Sequence, residues 1–404
     1  MRILQLCKKF PYPLNDGESI AVTNLSRALA ELGCEVTLLS MNTSKHYFNP
    51  RDLPPNYNHY KAMKFVDVDN RLKFWSAFTN LFSSRSYHVT RFVSPDFTAA
   101  LRDLLQNNEY DVVQLESSIL SPYIPIIRQY SSAVTAMRSH NVEHEIWDRV
   151  ADNVRWQPKR MYLRNAVEKL RRFEIKALSA YDILIPITYR DDRIFRKLGY
   201  RGKSVVTPIG INGRDYESDW SSYDRPLSLS FIGTLDWIPN QEGLLWFLDT
   251  TWPELHRKYP ELEFHIAGRN TPKKLLDLRI PNVTVHGEVE SARRFLNGHS
   301  ISVVPLLSGS GMRAKILEAM ALGKVVLTTS VGVEGIEAVN RQEILTADTP
   351  AEFVEQIDFC YQNQNILQHI GAEARELIAR EYDNLNVAKR LVAAYEEKCR
   401  PVKV

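Results

Sequence analysis

Residues 309–314 have the sequence Gly-Ser-Gly-Met-Arg-Ala. The apolar segment Ile301–Leu306 before them is typical of a buried strand, and Ala314–Leu322 after them has apolar residues at helical spacing. A glycine-rich turn between a strand and a helix lets backbone N–H groups approach a phosphate, and the helix N-terminus adds positive potential. The stretch also matches the pattern Gly-x-Gly-x-x-Ala. It therefore predicts an anion site within an α/β domain.

Charged side chains follow this turn. Arg313 and Lys315 stand at the start of the predicted helix, where the macrodipole disfavours cations by a few tenths of a kcal/mol or more. An anionic ligand would offset that cost, which favours a phosphate site over the alternative, a glycine-rich turn with surface cations. Glu318 lies inside the same helix. Its chemistry alone is as compatible with a ribose contact as with a solvated helix face.

The rest of the chain alternates between strand and helix patterns. The first 40 residues predict strands Arg2–Leu6 and Val36–Ser40, with a helix between them that ends at Gly33. No Gly-x-Gly follows the first strand, which argues against a redox enzyme with its dinucleotide there. This order of elements predicts parallel sheets. Further strands are predicted at Asp111–Leu115, Ala133–Met137, Asp182–Ile187, Leu229–Ile232, Glu263–Ala267, Val283–His286 and Val325–Thr329.

A polar stretch, residues 207–226, interrupts this alternation and contains Pro208, Gly210 and Pro226. It predicts an interdomain linker. The predicted fold class is therefore α/β, with two Rossmann-like, doubly wound parallel-sheet domains that face a central cleft. We place the N-terminal domain at 1–206 and the C-terminal domain at 207–384. A helix at about 385–404 is expected to pack back on the N-terminal domain.

The composition narrows the classes of partner. The chain has 404 residues, 44% of them hydrophobic, and a net charge of only +3, so we expect no nucleic-acid partner. Residues 1–205 carry 30 basic and 21 acidic side chains, a net +9, and the remainder carries 21 and 27, a net −6. The helical region Pro158–Ala180 is rich in Arg and Lys. It indicates either a solvated helix face or a surface for anionic lipid head groups or an anionic acceptor.

The cysteines and the apolar segments indicate in which cellular compartment the protein is expected. Cys7, Cys34, Cys360 and Cys399 are scattered, without a Cys-x-x-Cys pair or a His/Cys metal spacing. No apolar run approaches the roughly 18 residues of a membrane-spanning helix, and the N-terminus has too short an apolar run for a signal peptide. We expect reduced thiols in a cytoplasmic protein, with peripheral contact at the inner face of the membrane as an additional hypothesis.

Four motifs carry a family resemblance. Residues 308–321 (SGSGMRAKILEAMA) resemble the signature of family-four retaining glycosyltransferases with the GT-B fold, in the branch with a Gly-x-Gly-x-Arg-x-Lys-x-Leu-Glu-Ala pattern. Residues 231–240 (FIGTLDWIPN) resemble the opening of that branch's C-terminal domain. Residues 207–212 (TPIGIN) are similar to its domain-joining loop, and residues 139–143 (SHNVE) to its N-domain histidine loop.

The resemblance implies metal-independent sugar transfer from a UDP- or GDP-linked donor, held by the C-terminal domain. The acceptor, a glycan or lipid-linked saccharide, would belong to the N-terminal domain. The resemblance implies four catalytic residues. Glu318 would bind the ribose, Arg313 and Lys315 would stabilise the diphosphate, and His140 would contact the donor sugar. The donor-binding residues would be Gly17, Gly233, Thr234, Asn240, Ser310, Gly311 and Met312.

This sequence departs from the family pattern at Asp16, where many members have a first glycine, and at two positions of the C-terminal domain. Ser310 stands where the first Glu of the Glu-x7-Glu motif is usual, and Thr234 stands where many members have a phosphate-binding Arg. The resemblance implies a hexosyltransferase for cell-surface polysaccharide. Because the first Glu is absent, a non-catalytic nucleotide-sugar-binding protein is the main alternative. A sugar-nucleotide epimerase, which shares the GT-B architecture, is the other.

Overall fold

The computed structural model describes residues 1–14, 16–71, 79–80, 83–154, 156–308 and 311–400. The chain divides into two units, which we call unit 1 and unit 2. Unit 1 comprises Met1–Gly210 together with the chain from Asn384 onward, and unit 2 comprises Ile211–Asp383.

Unit 1 is built on a parallel sheet of seven strands in the order β3-β2-β1-β4-β5-β6-β7. The first six strands of this order follow the Rossmann arrangement, in which the direction of chain progression reverses between β1 and β4. The central strands are almost wholly buried and mostly apolar, as expected for a parallel sheet covered on both faces, but they also bury Gln5, Gln114 and Arg138. The strands are β1 Arg2–Cys7, β2 Glu35–Thr43, β3 Ala62–Val68, β4 Val112–Leu115, β5 Val134–Ser139, β6 Ile183–Pro186 and β7 Lys203–Ser204.

Helices connect these strands. The side chain of Asp16 caps the first of them by accepting a hydrogen bond from the Ser19 backbone N–H, and Gly33, at a φ of 79°, follows its C-terminus. The last helix, α15, packs against α1 and buries Val387 and Leu391. The helices of unit 1 are α1 Gly17–Glu31, α2 Tyr87–Thr90, α3 Pro95–Asn107, α4 Ile124–Tyr130, α5 Glu143–Asp152, α6 Gln157–Ala177, α7 Tyr189–Lys197 and α15 Asn384–Cys399.

Unit 2 contains a second parallel sheet, of six strands, in the order β10-β9-β8-β11-β12-β13. Its chain progression reverses between β8 and β11, the position at which such sheets bind ligands. The strands are β8 Ser228–Ile232, β9 Glu263–Ala267, β10 Val283–Gly287, β11 Ile301–Val304, β12 Val325–Thr328 and β13 Leu345–Thr346. The helices are α8 Ile238–Thr250, α9 Trp252–Lys258, α10 Lys273–Leu276, α11 Ala292–Asn297, α12 Ala314–Ala321, α13 Pro350–Gln362 and α14 Gln364–Leu377.

The predicted α/β architecture with two parallel sheets is confirmed, because each unit holds one sheet in which every strand pair is parallel. Every predicted strand is present, and no strand end shifts by more than three residues. The segment 207–226 contains the boundary between the two units, after Gly210, and part of it is buried. Ile211 bridges Asp383, and Thr207, Ile209 and Tyr216 are buried. It contains two short 3-10 turns, Gly213–Asp215 and Trp220–Asp224, and the Asp219 side chain caps the second by accepting from the Ser221 N–H.

Candidate functional site

A pocket of about 510 Å³ lies in unit 2 at the carboxyl ends of β8, β9 and β10 and beside the first turns of α12. Its volume falls within the range of small-molecule sites. It adjoins the β8/β11 reversal, where the geometry of the sheet leaves a crevice. The lining residues are Ile232, Gly233, Thr234, Asn240, Gly268, Arg269, Glu288, Val289, Glu290, Ala292, Ala314, Lys315 and Glu318.

Two glycines let the backbone form one wall of this pocket. The Gly233 N–H donates to the Ala267 carbonyl at 3.2 Å, so the loops after β8 and β9 run side by side. A Cβ atom at Gly268 would lie only 2.0 Å from the Gly233 carbonyl oxygen, a separation that no side chain can adopt. A Cβ at Gly233 would lie 2.8 Å from Asn240 Nδ2. Both positions therefore require glycine for close packing of backbone beside the pocket.

Asn240, in the first turn of α8, joins the elements of the site. Its side chain is buried, its Nδ2 donates to the Thr234 carbonyl at 2.8 Å, and its Oδ1 accepts from Lys315 Nζ at 2.6 Å. One amide thus connects the loop after β8 to the start of α12. The sequence motif predicted Asn240 as a donor-binding residue. The structure shows that it also fixes the position of a cation.

Lys315 is half-buried, with its Nζ 4.7 Å from the centre of the Phe231 ring. Burial, reinforced by the neighbouring Arg313 charge, lowers the pKa of Lys315 from 10.5 to about 7. Near neutral pH, the surroundings of Lys315 therefore disfavour the charged form of its amine in the free protein. An anion in the pocket would favour the charged form.

Arg313 occupies the N-cap position of α12, with an extended backbone conformation, and is 6% exposed. It does not line the pocket directly, but its charge acts on Lys315. Met312 is also buried, and Gly311 adopts a φ of 83°, which a side chain would strain. Ser310, predicted to bind donor, lies outside the described residues together with Gly309.

Glu318 faces the pocket and accepts a hydrogen bond from the Tyr216 hydroxyl at 3.1 Å. Burial raises the pKa of Glu318, although the Tyr216 hydrogen bond and the Arg293 charge oppose the rise. The Arg293 guanidinium lies 4.6 Å from the centre of the Tyr216 ring. The Glu318 carboxyl group is therefore partly buried and held in place by the Tyr216 hydrogen bond, and it does not belong to a solvated helix face. Sequence reasoning missed Tyr216, since it lies in the segment taken for a linker.

The remaining predicted residues, Gly17 and His140, belong to unit 1. Gly17 opens α1, and a Cβ there would meet Ile209 at 3.9 Å, an ordinary contact. His140 follows β5 and is buried, and its Nε2 lies 2.8 Å from Glu116 Oε2. The structure thus groups Gly233, Thr234, Asn240, Lys315 and Glu318 around one pocket, with Arg313 beside it.

Within the described ranges, no helix combines the length and apolarity needed to span a bilayer. In the same residues, no group of three or more His, Cys, Asp or Glu side chains could hold a metal ion.

Comparison with known proteins shows which family and which solved structures this chain resembles. Residues 226–363, most of unit 2, match the family model described as glycosyl transferases group 1. Sucrose-phosphate synthase from Thermosynechococcus elongatus superposes with a TM-score of 0.67, at 16% identity over 98% of this chain and 99% of that one. HepE from Anabaena, in complex with UDP, also gives 0.67, at 12% identity over 98% and 100%. The matched domain and the shared fold support a glycosyltransferase with the GT-B fold.

A curated protein of Klebsiella pneumoniae is similar over nearly the full length. It is described as an uncharacterized 44.6 kDa protein in the cps region. It is 22% identical over 406 residues, which cover 96% of this chain and 97% of that protein.

Proposed function

We propose that this chain is a retaining hexosyltransferase that uses a UDP- or GDP-linked sugar and acts in cell-surface polysaccharide biosynthesis. The observation that carries the proposal is the pocket of unit 2, where Lys315 and Glu318 meet glycine-lined backbone at the carboxyl ends of three strands. Support comes from the HepE complexes with UDP and UDP-glucose, and from the cps-region relative in Klebsiella.

The proposed donor pose follows from the charges in the pocket. The diphosphate lies at the start of α12, where helix N–H groups, Lys315 and Arg313 stabilise its negative charge. Glu318, held by Tyr216, accepts a hydrogen bond from a ribose hydroxyl. Because cations and backbone supply the stabilisation, we propose that no metal is needed. The base of the donor nucleotide is uracil or guanine, and a thermal-shift screen distinguishes the two.

The proposed reaction breaks the bond between the anomeric carbon and the diphosphate oxygen. The acceptor hydroxyl attacks from the face that the diphosphate leaves, so the anomeric configuration is retained. Its proton passes to the departing diphosphate, which leaves as nucleoside diphosphate. His140 of unit 1 is proposed to contact the donor sugar, and the acceptor is a glycan or a lipid-linked saccharide. This route follows the family resemblance.

A thermal-shift screen tests the donor, with UDP, GDP, UDP-glucose and GDP-mannose as probes. A donor at 100 times its dissociation constant stabilises the native state by about 2.7 kcal/mol, so the matching base stands out. We expect Glu318→Gln to weaken binding of the matching nucleotide by about tenfold, the cost of one hydrogen bond to a charged group. Glu254→Gln, which alters an exposed carboxylate of unit 2 outside the pocket, is the matched control.

Product analysis separates the alternatives. Release of nucleoside diphosphate with sugar on an acceptor supports transfer, whereas a new nucleotide sugar formed without acceptor would indicate an epimerase. Donor binding with neither hydrolysis nor transfer would indicate a non-catalytic binding protein. Unchanged affinity in Glu318→Gln would remove Glu318 from the donor site.

We also propose peripheral contact between α6 and anionic lipid, at the inner face of the cytoplasmic membrane. The helix carries seven basic and two acidic residues. Trp156, immediately before it, is 67% exposed, and Met161 is 71% exposed. Arg171 and Arg172 are exposed further along the helix. Exposed aromatic and apolar side chains beside cations are typical of surfaces that bind at the lipid interface.

Sedimentation with phosphatidylcholine vesicles, with and without phosphatidylglycerol, tests this contact. We expect binding to require phosphatidylglycerol and to fall with salt, because the attraction is screened. Arg171→Glu with Arg172→Glu should weaken binding by more than about 30-fold, because the loss of two cations alone costs about 1 kcal/mol for each of them. Lys273→Glu with Lys274→Glu, which reverses two exposed charges of unit 2, should have no effect. Equal binding to both vesicle types would contradict the proposal.

A further inference from the structure

A buried carboxylate in unit 1, Glu116, holds the ring of His140. Glu116 follows β4 and has no exposed surface. Its Oε1 accepts hydrogen bonds from Gln5 Nε2 at 2.6 Å and from Gln114 Nε2. Its Oε2 lies 2.8 Å from His140 Nε2 and 3.6 Å from Arg138 Nη1. The carboxylate therefore joins the ends of three neighbouring strands, β1, β4 and β5.

The carboxylate fixes the orientation of the two amides in this cluster. Because an ionised carboxylate only accepts hydrogen bonds, Gln5 and Gln114 both turn their NH2 groups toward Glu116. Their carbonyl oxygens are satisfied in turn, since the Tyr60 hydroxyl donates to Gln5 Oε1 at 3.0 Å and the Tyr395 hydroxyl donates to Gln114 Oε1 at 2.6 Å. Since two donors occupy Oε1, only Oε2 is left for His140.

The charge of Glu116 fixes the proton on the histidine. Burial opposes ionisation, but the Arg138 charge and the His140 hydrogen bond hold the pKa of Glu116 below its ordinary value. An ionised carboxylate can only accept hydrogen bonds. The hydrogen between Glu116 Oε2 and His140 Nε2 must therefore belong to Nε2. When the ring carries a single hydrogen, Nδ1 is then left as an acceptor. Among the described residues, Nδ1 of His140 makes no hydrogen bond.

We infer that Glu116 is a positioning residue, which fixes His140 in the Nε2–H tautomer so that Nδ1 accepts a hydrogen bond from a hydroxyl of the donor sugar. This inference rests on the proposed function, in which His140 contacts that sugar. A wrong tautomer would present an N–H where the hydroxyl needs an acceptor, as occurs when the orienting carboxylate of a catalytic histidine is neutralised. Glu116 thus acts on the substrate only through His140.

A second carboxylate–histidine pair in unit 1 supplies a matched control. Glu174 Oε2 lies 2.7 Å from His144 Nδ1 and also accepts the backbone N–H of His144 at 3.0 Å. Both side chains are buried. This pair ties α6 to the first turn of α5, so it has a structural role. Glu174→Gln therefore removes the same kind of buried charge without touching His140.

The tautomer is measured directly by 15N NMR of the histidine rings, with His140→Gln used for assignment. In the unmodified protein we expect His140 as the Nε2–H tautomer, and the Nδ1–H form would overturn the inference without any variant. In Glu116→Gln the carbonyl of the new amide keeps the Gln5 and Gln114 donors, so its NH2 faces His140. The ring must then accept at Nε2 and carry its hydrogen on Nδ1. Glu174→Gln should leave the His140 tautomer unchanged.

Kinetics with the nucleotide sugar identified by the thermal-shift screen give a second readout. We expect Glu116→Gln to lower kcat by about 10- to 100-fold with little change in KM, and Glu174→Gln to change kcat by less than about twofold. Loss of kcat in His140→Ala but not in Glu116→Gln would refute the positioning role alone. Full activity of His140→Ala would instead refute the role of His140 in the proposed function.

Discussion

Replacing Lys315 with methionine is expected to lower the turnover of the nucleotide sugar by about 100- to 1,000-fold, the usual cost of removing one donor that stabilises charge in the transition state. Lys315 lines the pocket, and its Nζ is held between Asn240 Oδ1 and the Phe231 ring. Methionine fills similar space but carries no charge. Charge on the leaving diphosphate increases as the sugar departs, so the loss should fall mainly on kcat.

The same substitution should leave the protein as stable as before, or more stable. The pKa of Lys315 in the folded protein, about 7, is below its ordinary value of 10.5. At pH 7 or below, the folded state holds a protonated lysine where its charge is disfavoured, which lowers the free energy of unfolding. This cost decreases as the pH rises from 7 toward 10.5. Methionine removes that cost. A higher melting temperature combined with lower turnover would show that the lysine is kept for function.

Steady-state release of nucleoside diphosphate and a thermal melt at pH 7 provide the two measurements. Lys273→Met, which alters an exposed lysine of unit 2, is the control for any general effect of losing a cation. Wild-type turnover in Lys315→Met would show that the pocket does not hold the reacting diphosphate. A large loss of stability would show instead that the Asn240 contact maintains the fold.

Much of the fold could be predicted because its central strands are short, apolar and bounded by turns. Ile301–Val304 and Val325–Thr328 are buried on both faces, so their sequences carry no competing helical period. Ala62–Val68 was missed because Lys64 and Asp67 interrupt its apolar pattern. The two-residue strands β7 and β13 are too short for any period to appear. They exist only because a neighbouring strand offers hydrogen-bonding groups.

The site could be predicted in its residue types but not in its electrostatics. The order of glycine, cation and acid along 309–318 marked Lys315 and Glu318. Burial of Lys315 depends on Phe231 and Asn240, which lie more than 70 residues away in sequence, so its lowered pKa was not visible. Tyr216 was missed for the same reason, since a tyrosine in a polar loop carries no sign of a partner about 100 residues later.

Binding of a nucleoside diphosphate is expected to take up a proton at Lys315. In the free protein the pKa of Lys315 is about 7, so at pH 8 roughly nine amines in ten are neutral. A diphosphate next to the amine favours the charged form and raises that pKa. The bound state therefore holds more protons than the free state, and by linkage affinity must fall as the pH rises above 7.

Isothermal titration of UDP, or of GDP if the screen favours it, measures this uptake between pH 7 and 9. Titrations at pH 8 in buffers with different ionisation enthalpies should give an uptake of about 0.9 proton, and the dissociation constant should weaken by up to about tenfold per pH unit. Lys315→Met should bind more weakly and show no uptake, whereas Lys273→Met should behave as the wild type. The pH range matters, because below pH 7 the phosphates begin to titrate themselves. Uptake of less than about 0.2 proton at pH 8, together with unchanged affinity in Lys315→Met, would mean that the nucleotide does not meet Lys315, and the donor would then have to lie elsewhere in the protein.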